Sequence, residues 1–167
     1  MRRAAAVHQQ LRAAAALATR EDWPDRAIFA LGDSGDRRWY QWRFPVTFAT
    51  LAESAASARR LDSSWVMGLM RSESAMAEDA VSSAGALGLM QVMPHVAGPQ
   101  ADSLFVVEAN LRAGMRLLKD TWEGFAYLDS LERLRLTLAE YHAGTGHLTD
   151  ARRLAMDHGR DPNKWAG

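Results

Sequence analysis

Apolar residues recur at helical spacing along most of this chain. In the segments 46–60, 64–76, 106–120, 130–141 and 147–158, apolar side chains three and four positions apart would share one face of a helix. Alanine and leucine dominate the hydrophobic residues, whereas valine, isoleucine and threonine, the usual residues of strands, are few. The pattern therefore predicts an all-α, mainly helical fold.

The N-terminal segment predicts an alanine-rich helix rather than a secretory signal peptide. It begins with two arginines, as a signal peptide does, but polar residues interrupt the apolar stretch that would have to follow. A signal peptide requires an unbroken run of roughly 7–15 apolar residues, and a membrane-spanning helix requires about 18. We therefore expect no export signal and no membrane span in this chain.

The helical spacing stops at residues 32–45, which combine turn formers, charges and aromatic residues and end at Pro45. Such a segment is typical of a connection between structural units. We therefore predict two parts, an N-terminal helical extension with its linker at 1–42 and a second domain at 43–167.

Charge and cysteine content exclude several classes of function. The 20 basic and 20 acidic residues give a formal net charge of zero, whereas nucleic acids and anionic membranes are bound through concentrated positive charge. The absence of cysteine excludes disulfides, thiol catalysis and cysteine-based zinc sites. The histidines show no metal-ligand spacing, so we expect no metal ion. From the charge balance we expect no nucleic-acid partner, and we also expect no cofactor.

One carboxylate lies at an unexpected position. Glu73 follows Leu69 by four residues and Met70 by three, so it shares the apolar face of the predicted helix at 64–76. A buried glutamate can be structural, with Arg71 or a backbone amide as its partner. It can also be a general acid, because a desolvated carboxyl group holds its proton closer to neutral pH. The pattern alone leaves both interpretations open.

The residues after Glu73 form a recognisable motif. Ser74 follows directly, Ser82 lies nine residues beyond Glu73, and Gly-Ala-Leu-Gly-Leu-Met-Gln-Val-Met-Pro occupies positions 85–94. This arrangement resembles the signature of the lytic transglycosylases of glycoside hydrolase family 23, which reads Glu-Ser, a spacer, then Ser-x-x-Gly-Ala-x-Gly-Leu-Met-Gln-x-Met-Pro. Residues 108–114 resemble the family's Pro-Glu-x-Asn-Ile-x-x-Gly element, and residues 138–144 resemble its Ala-x-Tyr-Asn-x-Gly motif.

The resemblance implies a lysozyme-like fold of the goose type for residues 43–167, a catalytic domain that lacks its last C-terminal segment. It implies cleavage of the β-1,4 bond between N-acetylmuramic acid and N-acetylglucosamine in peptidoglycan. Glu73 would be the sole essential carboxyl group. It would protonate the glycosidic oxygen and then accept the proton of the muramoyl C6 hydroxyl, which closes a 1,6-anhydro ring without a second carboxylate.

The resemblance also implies a set of substrate-binding side chains. Ser82 and Gln91 would hydrogen-bond acetamido or peptide groups, the two methionines would line the floor of the cleft, and the tyrosine hydroxyl would lie near the catalytic acid. Histidine replaces the family's usual asparagine at one position. The set is Ser82, Met90, Gln91, Met93, Tyr141 and His142.

Each of these residues also has a structural interpretation. Ser82 can be a helix cap, Gln91 an exposed polar residue, and the methionines and Tyr141 can belong to the core. These alternatives remain open from the residues alone.

The implied substrate defines partners and location. The chain would bind peptidoglycan glycan strands as a monomer, in the periplasm or cell envelope of a bacterium. Two further functions remain open, a goose-type or phage-like muramidase that uses water as acceptor and an inactive remnant that binds peptidoglycan.

Overall fold

The structure, a computed structural model, describes residues 2–34 and 37–165, and helices account for most of them. The described part contains isolated antiparallel bridges, at Val81–Leu87 and Leu87–Val92, and no strand. A 3₁₀ helix at Gly98–Ser103 lies between the sixth and seventh α-helices. The α-helices of the described residues are α1 (Arg2–Arg20), α2 (Pro24–Ser34), α3 (Tyr40–Arg43), α4 (Ala49–Ser57), α5 (Ser63–Ser74), α6 (Pro94–Ala97), α7 (Val107–Gly124), α8 (Ser130–Ala143) and α9 (Thr145–Asp157).

The helices predicted from the spacing are present, but two of them are shorter than expected. Phe48 has a φ of 63°, so α4 begins after it rather than at position 46. Ala75 and Met76 have φ values of 52° and 68°, so α5 ends at Ser74 rather than at position 76. A left-handed residue cannot continue a right-handed helix. Gly146, expected between the last two helices, lies inside α9.

The chain divides into two compact units, Met1–Ala113 and Gly114–Gly167. In the first unit, α1 and α2 pack through small apolar side chains, which include Ala15, Ala27 and Leu31, and Trp42 packs against this cluster. α4 packs against α5, and the buried residues of these two helices include Ala52, Ala56, Val66 and Met70. Residues 2–34 and 37–42 therefore belong to the same unit as the helix that carries Glu73.

The second unit has its own small core, which is formed by Phe125, Leu136 and Leu148. Asp129 caps α8, because its carboxylate accepts hydrogen bonds from the backbone amides of residues 131 and 132. The Arg152 guanidinium donates to the Asn163 side chain at 2.7 Å and to the Pro162 carbonyl at 3.2 Å, which fixes the C-terminal segment.

None of the described helices is both long enough and apolar enough to span a membrane.

Candidate active site

Glu73 lies in the last turn of α5, and the start of this helix is well defined. The Asp62 carboxylate accepts a 2.8 Å hydrogen bond from the Ser64 amide, as an N-cap residue does. Hydrogen bonding by Ser64 also lowers the pKa of Asp62. On the apolar face, Leu69 and Met70 are buried, but Glu73 itself is only half-buried. Glu73 therefore lies at the edge of the core, neither fully buried nor fully exposed.

The turn that follows Glu73 is conformationally strained. Ala75 and Met76 are consecutive non-glycine residues in the left-handed region, a conformation that costs on the order of 1–3 kcal/mol per residue. Their amides donate to the carbonyls of Arg71 at 3.1 Å and Met70 at 3.3 Å. These bonds close the C-terminal end of α5 and turn the chain sharply away from the helix axis.

Ser74 joins the end of α5 to the loop at 80–93. Its Oγ lies 2.9 Å from the Met70 carbonyl oxygen and 2.9 Å from the Leu89 carbonyl oxygen. The first contact is within the helix and the second reaches the Gly-Leu-Met-Gln segment. Because Ser74 is buried and adjacent to Glu73, this contact sets the position of the motif's carboxylate relative to its loop.

The loop at 80–93 is held by its own backbone. Leu87 and Val92 exchange two hydrogen bonds at 3.0 and 3.1 Å, and the Gly88 amide donates to the Ala80 carbonyl at 2.8 Å. Gln91 has a φ of 46°, and its Nε2 donates to the carbonyls of Gly88 at 2.9 Å and Ala80 at 3.2 Å. The loop is thus a closed, hydrogen-bonded turn rather than a flexible connection.

Asn110 on α7 supports this loop from below. Its Oδ1 accepts a 2.8 Å hydrogen bond from the Met90 amide, and its Nδ2 donates at 2.8 Å to the carbonyls of Leu87 and Leu104. The side chain is only 1% exposed, so these bonds satisfy polar groups that water cannot reach. Asn110 lies in one of the family elements recognised in the sequence, but its supporting role was not predicted, because a contact across 20 residues leaves no local pattern.

Gly88 is a glycine for two physical reasons. Its φ is +72°, and a Cβ at this position would lie 2.5 Å from the Leu104 carbonyl oxygen and even closer to the Asn110 amide nitrogen. Any side chain would therefore separate the loop from Asn110.

Ser82 and Gln91 both lie in this loop, and neither matches its simpler structural interpretation. The Ser82 Oγ accepts a 2.9 Å hydrogen bond from the Ala86 amide within a turn, not at a helix start. Gln91 is half-buried rather than exposed. Its amide nitrogen binds the loop backbone, whereas no described residue donates to its Oε1. The Gln91 Oε1 and the Ser82 hydroxyl proton can therefore act on a ligand.

The two methionines of the motif differ in burial. Met90 is 0% exposed, so its side chain packs beneath the surface instead of lining a cleft as expected. Met93 is half-buried and precedes α6, so part of its side chain is accessible. Of the two, Met93 can contact a ligand, and Met90 supports the loop from within the core.

Tyr141 and His142 belong to the second unit, in the last turn of α8. Tyr141 is half-buried and His142 is exposed. Their implied roles toward the substrate stay predictions.

Arg71 connects α5 to the beginning of the predicted second domain. Its Nε donates to the Arg43 carbonyl at 2.7 Å, and its guanidinium carbon lies 4.5 Å from the centre of the Phe44 ring. Burial, together with the charge of Arg43, lowers the pKa of Arg71.

The Glu-Ser end of α5 and the Gly-Leu-Met-Gln segment are thus joined by the bond from Ser74 to Leu89, and a family comparison agrees with the motif. Residues 50–163 match the model of the Transglycosylase SLT domain. The chain belongs to this family.

Relatives and solved structures support the assignment to the SLT family. The chain is 33% identical over 120 residues to the membrane-bound lytic murein transglycosylase F of Desulfosudis oleivorans, which covers 71% of this chain and 26% of that protein. The membrane-bound lytic murein transglycosylase F 2 of Alkalilimnicola ehrlichii is 34% identical over 119 residues, which cover 68% of this chain and 26% of that protein. The chain therefore spans about a quarter of the length of these relatives.

Two solved lytic transglycosylases share the fold. Slt of Pseudomonas aeruginosa, solved as an inactive mutant, matches with a TM-score of 0.73 and 31% identity over 83% of this chain and 24% of that one. The 70 kDa soluble enzyme Slt70 of Escherichia coli matches with a TM-score of 0.71 and 25% identity over the same shares. The all-α, lysozyme-like fold that the motif implied is confirmed.

Proposed function

We propose that this chain is a peptidoglycan lytic transglycosylase. It would cleave the β-1,4 bond between N-acetylmuramic acid and N-acetylglucosamine and leave a 1,6-anhydromuramoyl end. The observation that carries the proposal is the contact between Ser74 and Leu89, because it joins the Glu-Ser end of α5 to the Gly-Leu-Met-Gln loop. The names of the relatives, which are lytic murein transglycosylases, support the same activity.

Glu73 would act first as an acid and then as a base. Its carboxyl proton goes to the glycosidic oxygen as the bond from C1 to that oxygen breaks. The C6 hydroxyl oxygen of the same muramoyl residue then bonds to C1, and its proton returns to Glu73. No water is consumed, and an intramolecular hydroxyl replaces the nucleophilic carboxylate of a retaining hydrolase. A half-buried position at the helix end suits both steps, since the group must be partly desolvated and still reach the substrate.

The remaining site residues would position the sugar. Ser82 and Gln91 present a hydroxyl proton and an amide oxygen at the loop surface, which suit the acetamido groups of peptidoglycan sugars. Met93 would provide apolar contact. By the family resemblance, the Tyr141 hydroxyl would support the proton transfer, and His142 would donate or accept a hydrogen bond at the position of the family's asparagine. The chain would act on glycan strands, as a monomer, in the periplasm or cell envelope.

Replacement of Glu73 by glutamine tests the proposal. The Glu73→Gln chain should fold normally and fail to clear purified peptidoglycan sacculi, because an amide cannot transfer the proton. Glu53→Gln is a matched control, since Glu53 is an exposed glutamate on α4, and it should retain full clearing. The solved Pseudomonas aeruginosa Slt is itself an inactive mutant with glutamine in place of a glutamate.

Product mass distinguishes the alternatives. A 1,6-anhydro end is lighter than a reducing end by one water molecule, so mass spectrometry of the soluble fragments identifies the acceptor. Reducing ends would show a muramidase and overturn the transglycosylase assignment. Equal clearing by the parent and Glu73→Gln would overturn the role of Glu73, and no clearing by the parent would favour a binding remnant.

A further inference from the structure

A cavity of about 520 Å³ opens in the first unit, apart from the motif loop. Its wall consists of the connection from α1 to α2 with the start of α2, the segment before α4, and the turn that follows α5. The volume lies within the range of about 300–1,000 Å³ that small-molecule sites occupy. Its principal side chains are Trp23, Asp25, Arg26, Phe48, Glu78 and Asp79.

The cavity has an aromatic wall. Trp23 is 50% exposed, although tryptophan is normally a largely buried residue. The Arg26 guanidinium carbon lies 5.3 Å from the centre of the Trp23 ring, close enough for a cation–π contact that orients the indole. Phe48 contributes a second aromatic side chain, which is half-buried. Aromatic faces of this kind stack against the apolar C–H face of a ligand ring.

The polar part of the wall consists almost entirely of hydrogen-bond acceptors. Asp22, Asp25, Glu78 and Asp79 line the cavity, and within the described ranges no side chain or amide is seen donating to their carboxylates. Among the described residues of the lining, Arg26 is the only basic one. An anionic ligand would be repelled by this excess of carboxylates, whereas a ligand rich in hydroxyl donors would satisfy them.

We propose that this cavity binds a neutral saccharide ring. Stacking on Trp23 and hydroxyl donation to the carboxylates describe a ligand with an apolar ring face and donors at its rim, such as an N-acetylglucosamine unit. The neutral sugar of peptidoglycan fits this chemistry, whereas the muramoyl residue with its acidic substituent does not.

The position of the cavity connects it to the candidate active site. Met76 lines the cavity and follows Glu73 by three residues, so their Cα atoms are separated by no more than about 11 Å. A sugar bound in the cavity would therefore lie close to a glycan strand that is cleaved at Glu73. The assignment of this sugar to peptidoglycan rests on the proposed function, whereas the binding of a saccharide does not.

The probe that tests the proposal is the neutral trimer of N-acetylglucosamine, titrated into the full chain with Glu73→Gln to prevent cleavage. Binding should shift the Trp23 indole N–H resonance in NMR spectra. Calorimetry measures the affinity for the trimer in each variant. Trp23→Ala should lower this affinity at least tenfold, since truncation of a central aromatic contact has effects of about this size. Asp79→Ala, a change at an exposed position, should weaken it as well. Trp39→Ala is the matched control, because Trp39 is another exposed tryptophan and lies outside the cavity, and it should leave the affinity unchanged.

Each outcome decides between the proposal and an alternative. No shift at Trp23, or equal affinity in the parent and in both cavity variants, would overturn the saccharide site. Selective binding of the amine-bearing glucosamine trimer, abolished by high salt, would also overturn it in favour of a cation site. A response at Trp23 together with a parent chain, with Glu73 intact, that does not clear sacculi would retain the saccharide site while the proposed activity fails.

Discussion

Removal of the Asn110 side chain should destabilise the motif loop at residues 80–93. Asn110→Ala deletes the acceptor of the Met90 amide and the donor to the Leu87 and Leu104 carbonyls, three bonds of 2.8 Å. The Leu87 carbonyl still accepts from the Val92 amide. Two buried groups, the Met90 amide and the Leu104 carbonyl, therefore lose this hydrogen bond.

The expected loss of stability follows from these two groups. A buried polar group that loses its hydrogen bond costs about 1–3 kcal/mol, so Asn110→Ala should lower the free energy of unfolding by about 2–6 kcal/mol. This is a large part of the roughly 5–15 kcal/mol that stabilises a typical domain. Urea denaturation followed by circular dichroism measures the change.

A local measurement and a control separate this role from a general effect. Hydrogen exchange of the Met90 amide should become faster in Asn110→Ala than exchange of amides in α8. Asn163→Ala is the control, because Asn163 is only partly buried and its partners, Arg152 and Tyr127, are half-buried and exposed. It should cost about 1 kcal/mol, clearly less than Asn110→Ala. A cost below about 1 kcal/mol for Asn110→Ala, with Met90 still protected, would refute the reasoning.

Four further substitutions test other features, each by its effect on the free energy of unfolding. Gly88→Ala should cost about 2–5 kcal/mol, because a Cβ would collide with Asn110 and a left-handed φ disfavours alanine. Thr137→Val should add about 1 kcal/mol, since the buried Thr137 hydroxyl has no hydrogen-bond partner within the described structure. Ser74→Ala, by contrast, should lower the free energy of unfolding, because it removes a buried hydroxyl that is hydrogen-bonded. Asp62→Asn should reduce the loss of stability on acidification. Hydrogen bonds from the Ser64 hydroxyl and the Ser64 amide lower the pKa of Asp62 in the folded state. Its stabilisation is therefore present above about pH 4 and is lost as the pH falls from there through the lowered pKa. Equal acid sensitivity of the two chains would contradict this last expectation.

Local patterns predicted the helices and the motif well. The start of α5 follows from a local pattern, because Asp62 precedes an apolar run and an aspartate at that position can accept from the first amides of a helix. Glu73 is marked as a candidate functional residue because its charged side chain lies on the otherwise apolar face of the same helix. Both signals lie within a few residues of the feature that they predict.

The features that local patterns did not predict depend on contacts distant in the chain. Ala75, Met76 and Gln91 adopt positive φ, and no glycine or asparagine marks these positions in advance. Their conformations are imposed by packing and by hydrogen bonds to neighbouring segments. The hydrogen bond of the Met90 amide depends likewise on Asn110 of α7, and the cavity beside Trp23 forms only when segments from three parts of the chain meet.

The dependence of the loop on Asn110 has a consequence for biosynthesis. Glu73 and the motif at 85–94 leave the ribosome before Asn110, which is 20 residues beyond Met90. Until α7 has emerged and docked, the loop lacks the side chain that closes it, so the nascent chain carries its acidic residue without an organised site. The contact also requires closure of the intervening 20 residues before its hydrogen bonds can form. A site of this construction would stay inactive during translation and mature only when the chain extends well past the motif.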